Sequence, residues 1–325
     1  MTGLAASLRI GIDIGGTKTH GVVLDAAGSV VEHWRTPTGF GSADVVATAA
    51  AAVEQLAVLC GVEASLFSSV GIGIPGRVDS DTGHVAHAVN LGVDSLDLGA
   101  QLAIRLGRSV RVENDVNAAA LGAHHLLAPR ESRSMAYLNL GTGLAAGLVL
   151  DGTLWRGARG VAGEIGHIPI DPHGVLCACG QRGCLETVAS GSALARLWPE
   201  GALDGRPPRA RALFAAADAG DPAATAAAER IVENIAAAVR ILVLTVDVDA
   251  VVIGGGLSSL GAPLLGGVRA RLTADARTSP FLASLDLGER ILLVPDGVDV
   301  AAVGAALVGA AGSAAGSPQP EAVPV

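Results

Sequence analysis

IGIDIGGTKTHGVVLD, residues 10–25, opens as an apolar run, halts at two glycines and resumes as a second apolar run. The pattern predicts a strand, a Gly-Gly turn, a second strand, a turn at residues 26–28 and a third strand. The arrangement returns in SMAYLNLGTGLAAGLVLDG, residues 134–152, with Gly141, Thr142 and Gly143 in the turn. Two such units predict a duplicated architecture with one glycine turn in each half. Strands alternate with helices along the rest of the chain, which makes it an α/β protein.

Between the two units, Ser42 is positioned to cap an alanine-rich helix reaching about Cys60, and residues 68–76 read as a buried strand leaving into a loop. A helix is expected over residues 96–106, then a strand ending in the polar junction Glu113–Asn117, with a helix beginning near Asp115. Further on, Asp221 as N-cap and Pro222 at the first helical position start a long helix that ends near Leu244. A strand over AVVIGGGLS, residues 250–258, and a closing strand–helix pair follow. The expected organisation is a flexible start at 1–8, a small α/β lobe at 9–114 and a large α/β lobe at 115–311, whose last helix packs back on the small lobe. The small, Pro-rich tail at 312–325 is expected to be disordered.

The chain has 325 residues and a formal charge of −9, so it offers no basic surface to neutralise the phosphates of nucleic acid or of an anionic membrane. Half of its residues are hydrophobic, with much of the excess in alanine, and the strongest run is broken by Arg240. No continuous run approaches the about 20 apolar residues of a spanning helix. The N-terminus lacks the charged-then-apolar pattern of a secretory signal, so a cytoplasmic location is expected.

Asp13 ends the first strand, Gly15 and Gly16 make the turn, and Thr17 and Lys18 follow. Glycine lets backbone N–H groups approach a phosphate, a hydroxyl and an ammonium add donors, and the aspartate suits a magnesium ion. Alone the motif reads equally as a hairpin turn. Gly141–Gly143 form a second such turn, and Gly254, Gly255 and Gly256 close a strand where nucleotides commonly dock in α/β proteins. This last run is neither a P-loop nor a dinucleotide fingerprint. Together the three turns point to a nucleotide in a cleft between lobes.

Asp115 reads either as a helix cap or as the base that takes a proton from a hydroxyl attacking a γ-phosphate. Glu164, His167 and Glu186 lie in glycine-rich surroundings that suit a sugar's hydroxyls, although solvated loop carboxylates fit the same sequence. Three of the four cysteines fall within CACGQRGC, residues 177–184. With His167, the thiols of Cys177, Cys179 and Cys184 make the one-nitrogen, three-sulfur set of a closed tetrahedral zinc site, which is structural because it leaves no open position. Cys60 is expected to be buried packing.

These motifs together resemble the ROK family of bacterial sugar kinases, from Ile10 to about Ala311. DIGGTKT and GTGLAAG are similar to its phosphate motifs, GGGLS to its adenosine motif, and GEIGH with CACGQRGCLE to its signature and zinc loop. The resemblance implies the two-lobed actin-like ATPase and sugar-kinase fold, related to ribonuclease H, with a cleft between lobes and a zinc loop at 163–186. It implies Asp115 as catalytic base, and Gly76, Arg77, Asn90, Asn114, Glu164, His167 and Glu186 around the sugar. His167 would give one ring nitrogen to the metal and the other to the sugar. ATP with Mg²⁺ would phosphorylate a hexose at its 6-hydroxyl, glucose first and an N-acetylhexosamine second, in a homo-oligomer. A non-catalytic sugar sensor is a further reading, whereas a repressor would need a helix-turn-helix domain for which the eight residues before Arg9 leave no room. Four positions depart from the family pattern: Ala145 and Ala146, whose methyls are expected near the phosphates, Val93 where tryptophan is frequent, and Ala123 where glutamate is common.

Overall fold

The computed structural model describes residues 7–129, 131–203 and 209–311; the expected flexible start up to residue 6 and the tail 312–325 lie outside the described residues. The chain divides into two compact units, one made of residues up to Gly122 together with those from Asp299 onward, the other of Ala123–Val298.

In the first unit, β1 (Arg9–Ile14), β2 (Lys18–Leu24) and β3 (Val30–Pro37) precede α1 (Ser42–Cys60) and β4 (Ser69–Ile74). A hairpin sheet of β5 (Arg77–Asp79), β6 (His84–Ala88) and β7 (Val93–Asp97) comes next, then α2 (Leu98–Leu106), β8 (Arg111–Asn114) and α3 (Asp115–Leu127). The main sheet has the order β3-β2-β1-β4-β8. Pairing is antiparallel across β3, β2 and β1 and parallel across β1, β4 and β8.

The second unit repeats that plan. Here β9 (Met135–Leu140), β10 (Leu144–Leu150) and β11 (Thr153–Trp155) are followed by the cysteine loop, α4 (Glu186–Ala189), α5 (Gly191–Leu197), α6 (Ala210–Asp218) and α7 (Pro222–Val246). Then come β12 (Ala250–Gly254), α8 (Ala262–Arg277), α9 (Pro280–Ala283) and β13 (Ile291–Leu293). The sheet runs β11-β10-β9-β12-β13, with the same antiparallel and parallel pairs. The duplication expected from the two glycine turns is therefore a repeat of strand order, and each turn joins the first two strands of its sheet.

The last helix, α10 (Val300–Ala311), belongs to the first unit, and glycine is the reason. A methyl group at Gly11 of β1 would strike the Ala302 carbonyl, one at Gly71 of β4 the Ala305 carbonyl, and one at Gly304 the Ala118 carbonyl of α3. The helix thus lies at backbone contact on the sheet and on α3, which also holds the first two turns of α3 in this unit and moves the boundary from the expected 114/115 to Gly122. Across the sheet, Val45, Ala49, Val53 and Leu56 of α1 pack with Ile10, Ile12 and Ile72. α1 is long and apolar enough on average to cross a membrane by length and composition alone, although Asp44 and Glu54 interrupt its apolar run, and the apolar side chains named above are buried in the unit's core.

Local signals fared unevenly. Asp221 caps α7 by accepting from the Ala223 and Ala224 amides at 2.8 and 3.0 Å, with Pro222 after it. Ile231, Ile235, Val239 and Leu242 then bury one helical stripe. Ser42 does not cap α1; Gly41, at φ 88°, occupies that position without a side-chain bond. The stretch expected to start a helix at Leu96 is split, because Val93–Asp97 pairs with β6 before the helix begins at Leu98. Likewise Gly256–Leu260 is one 3₁₀ turn preceding α8.

Candidate active site

At the carboxyl end of β1, Asp13 sits opposite His20 in the β1–β2 register, and the Gly15 amide donates to the Lys18 carbonyl at 3.0 Å to close the turn. Gly16, Thr17 and Lys18 are exposed. A Cβ on Gly16 would lie 3.2 Å from Asn90 Cβ, so Asn90 borders the first glycine turn. The Thr19 hydroxyl, fully buried, shares a 2.8 Å hydrogen bond with Thr38 and anchors the base of the turn.

The end of β8 supplies the next group. Asn114 Oδ1 accepts from the Val116 and Asn117 amides at 3.0 and 3.1 Å, so the cap of α3 is Asn114. Its Nδ2 donates to the Gly76 carbonyl at 3.1 Å and pins the loop after β4. Gly76 has φ 102° and a Cβ there would press on Ala86 and Ala88 of the hairpin sheet, which explains the glycine; Arg77 next to it is exposed. Beneath Asn114, buried Glu113 Oε1 accepts from the Asn114 amide and from Asn117 Nδ2, both at 3.0 Å. Asp115 Oδ1 accepts from the Val116 amide at 3.0 Å. A Cβ on Gly73 would lie 3.7 Å from Asp115 Cα and 3.8 Å from Asp13 Oδ1, so the two aspartates flank one bare position of β4.

Burial, then the Asp115 charge, pushes the Asp13 carboxyl up from 3.8 to about 7. A partner group had no sequence signal: Asp299, at the start of α10, accepts from Arg35 at 2.9 Å and lies 3.3 Å from His20 Nδ1. Its role emerges only once α10 folds back beside β2. Because the folded value for Asp13 exceeds the unfolded one, the protein loses stability as pH rises from about 4 through about 7. Asp13→Asn is therefore expected to raise the melting temperature of the nucleotide-free protein at pH 8 by several degrees, with the gain shrinking at pH 5. Melts at the two pH values check this, and an equal gain at both would refute the assignment.

In the second unit the Gly141–Gly143 turn is held from behind. The Gly191 and Ser192 amides, at the start of α5, donate to the Gly141 and Thr142 carbonyls at 2.8 and 3.2 Å. Glu186 Oε2 accepts from the Leu144 amide at 3.1 Å and occupies the space where a Gly143 side chain would stand. Gly255, at φ 79°, packs on Asn139 and Leu140 just before the turn, and Gly254 lies over the Tyr137 ring, so the Gly254–Gly256 run borders the same turn. Ala146 points into the core with Leu138, Leu144 and Leu148. Its methyl does not face the turn's outer side, against expectation; Ala145, opposite Asn139, is the half-exposed one.

The GEIGH segment lies along β10: the Ala146 amide donates to the Gly163 carbonyl at 2.8 Å, and side chains at Gly163 and Gly166 would strike the Ala146 and Leu144 carbonyls. Glu164 is exposed at the head of the 3₁₀ turn that ends in His167. The ligand atoms of His167, Cys177, Cys179 and Cys184 all lie within 4.8 Å of one another. Cys177 Sγ is 3.8 Å from His167 Nδ1, and Cys179 Sγ is 3.6 Å from Cys184 Sγ. Zn–S bonds of about 2.3 Å in a tetrahedron put sulfurs about 3.8 Å apart, so the set fits zinc and is far from disulfide length. Hydrogen bonds from the Gln181 amide and side chain hold the Cys179 thiol down to about 6, while burial pushes Cys184 up. Cys60 is half-buried at the end of α1 and packs on the first unit's core.

The chain is 35% identical over 284 residues to a glucokinase of Halalkalibacterium halodurans, covering 82% of this chain and 86% of the relative. It is 34% identical over 262 residues to an N-acetyl-D-glucosamine kinase of Shigella sonnei, covering 78% and 85%. The solved ROK family glucokinase of Streptomyces griseus, in complex with glucose and AMPPNP, superposes with a TM-score of 0.76 at 32% identity over 94% of this chain and 99% of that one. The sequence pattern of the ROK family matches residues 9–307. A duplicated strand order with a glycine turn in each unit, a cysteine–histidine cluster and this match together mean that the chain belongs to the ROK family.

Proposed function

We propose that the protein is an ATP-dependent hexose kinase that phosphorylates glucose at its 6-hydroxyl, with Asp115 as the base. The observation that carries this is Asp115 beside Asp13 at the strand ends next to the first glycine turn, with the α3 cap supplied by Asn114 instead. The Asp115 carboxylate accepts the proton of the attacking hydroxyl, while Asn114, tied to Gly76, keeps the loop in register. Thr17, Lys18 and Thr142, with the amides of their turns, hold phosphate oxygens. Gly254–Gly256 receive the adenosine. When bound, Mg²⁺ spreads the phosphate charge, and the raised Asp13 carboxyl is the group in the first unit that a cation would ionise.

For the sugar, Glu164, His167, Glu186, Asn90 and Arg77 are the proposed hydroxyl-binding groups. With Nδ1 turned to the cysteines, His167 keeps Nε2 for a sugar hydroxyl. The relative from Shigella sonnei favours N-acetylglucosamine as a second reading. A coupled ADP-release assay over glucose, mannose, fructose, N-acetylglucosamine and N-acetylmannosamine decides: glucose is expected to give the highest kcat/KM, and no ADP release with any of them would overturn the kinase reading.

A further inference from the structure

The two oxygens of Glu186 look in different directions. Oε2 accepts from the Leu144 amide at 3.1 Å, immediately after the second glycine turn, whereas Oε1 lies 3.9 Å from the Sγ of Cys177, a member of the cysteine–histidine set. The flanking chain continues both connections: Cys184 is two residues before Glu186, and Gly191 and Ser192, five and six residues after it, donate to the turn's carbonyls at 2.8 and 3.2 Å. A side chain at Gly143 would displace the carboxylate, so the turn is glycine where Glu186 needs the space. The outer side of the turn, with Thr142 exposed, is left for a ligand.

From this we infer that Glu186 is a positioning residue for the nucleotide as well as a sugar ligand, holding the second phosphate turn in shape and making nucleotide affinity depend on the cysteine loop. The inference rests on the kinase reading above. A hydrogen bond to a charged acceptor is a strong one, and the Leu144 amide without it would lose its fixed direction. The restraint runs along the chain: the Cys184 carbonyl accepts from the Thr187 amide at 2.9 Å and from its hydroxyl at 2.7 Å, so a metal that fixes Cys184 also fixes the turn from which Glu186 projects.

A sugar ligand alone has no reason to affect nucleotide binding when sugar is absent, and that separates the two roles. AMPPNP with Mg²⁺ is titrated into sugar-free protein by calorimetry, using zinc-loaded wild type, Glu186→Ala and Glu186→Gln, each with its metal content and circular dichroism checked. Glu186→Ala is expected to bind the nucleotide about tenfold more weakly, in line with the loss of one such bond. Glu186→Gln keeps an acceptor oxygen for the Leu144 amide and is expected to recover wild-type nucleotide affinity while still binding glucose weakly. Stripping the metal from wild type is expected to weaken nucleotide binding, and stripping it from Glu186→Ala to add nothing. Wild-type nucleotide affinity in Glu186→Ala, or equal loss in both variants, would overturn the inference and leave the kinase reading standing. Failure of the wild type to bind AMPPNP would overturn both.

Discussion

Asp115→Asn is expected to lower kcat by about 10²–10⁴-fold, the range for loss of a positioned general base, and to leave glucose affinity within about twofold. Asparagine preserves the size of the side chain and keeps an oxygen for the Val116 amide, which Asp115 Oδ1 now receives at 3.0 Å. The helix start does not depend on the replaced charge, because Asn114 accepts from both the Val116 and Asn117 amides. Removing one of the two aspartates that flank Gly73 also relieves Asp13, whose carboxyl the Asp115 charge helps to push up. The variant should therefore fold at least as well as the wild type, and its inactivity would be chemical. Rapid-quench measurement of the first turnover, with glucose binding followed by calorimetry, checks both halves. Turnover within about tenfold of wild type would remove Asp115 from the base's role.

Removal of metal is expected to act on the second unit with comparable force. The cysteine loop is short of packing: Val175, Leu176, Ile168 and Ile170 are 38–63% exposed, and its cross-strand contacts are two isolated bridges, Pro169 with Cys184 and Leu176 with Arg182. Without a central ion the Cys184 thiol stays protonated and the four ligand atoms lose their common partner, so the segment between His167 and Glu186 is left to its few backbone hydrogen bonds, while Glu186 keeps the bond from the Leu144 amide. A chelator is expected to extract one zinc per chain, lower the melting temperature by about 10 °C and weaken glucose binding at least about tenfold, as loss of groups that orient a binding residue does. Glucose affinity unchanged in metal-free protein would make the cluster irrelevant to the sugar.

Legibility in the sequence followed range. Glycine turns, the Asp221–Pro222 start of α7 and the cysteine spacing are local, and each appears as read. What depends on distant pairing was not readable: Leu96 and Asp97 read as the start of a helix until β6 is beside Val93–Asp97, and the Arg35–Asp299–His20 group joins residues more than 260 positions apart in chain order. The same holds for the cap of α3. Sequence offers the Asp115 carboxylate as the cap, and only the bonds from the Val116 and Asn117 amides to Oδ1 of Asn114 show that the preceding residue takes that role. Ala146 was misjudged for a simpler reason: its place in the two-residue alternation of β10 sends its methyl inward.

Because α10 seals β1 and β4 through bare glycines, the first unit is assembled from both ends of the polypeptide. During synthesis the continuous second unit can close as soon as Val298 has emerged, while the sheet that bears Asp13 waits with an open face for the closing helix. The first unit is thus expected to mature after the second although its strands are translated first, and the aspartate pair to be set in place only when the closing helix arrives.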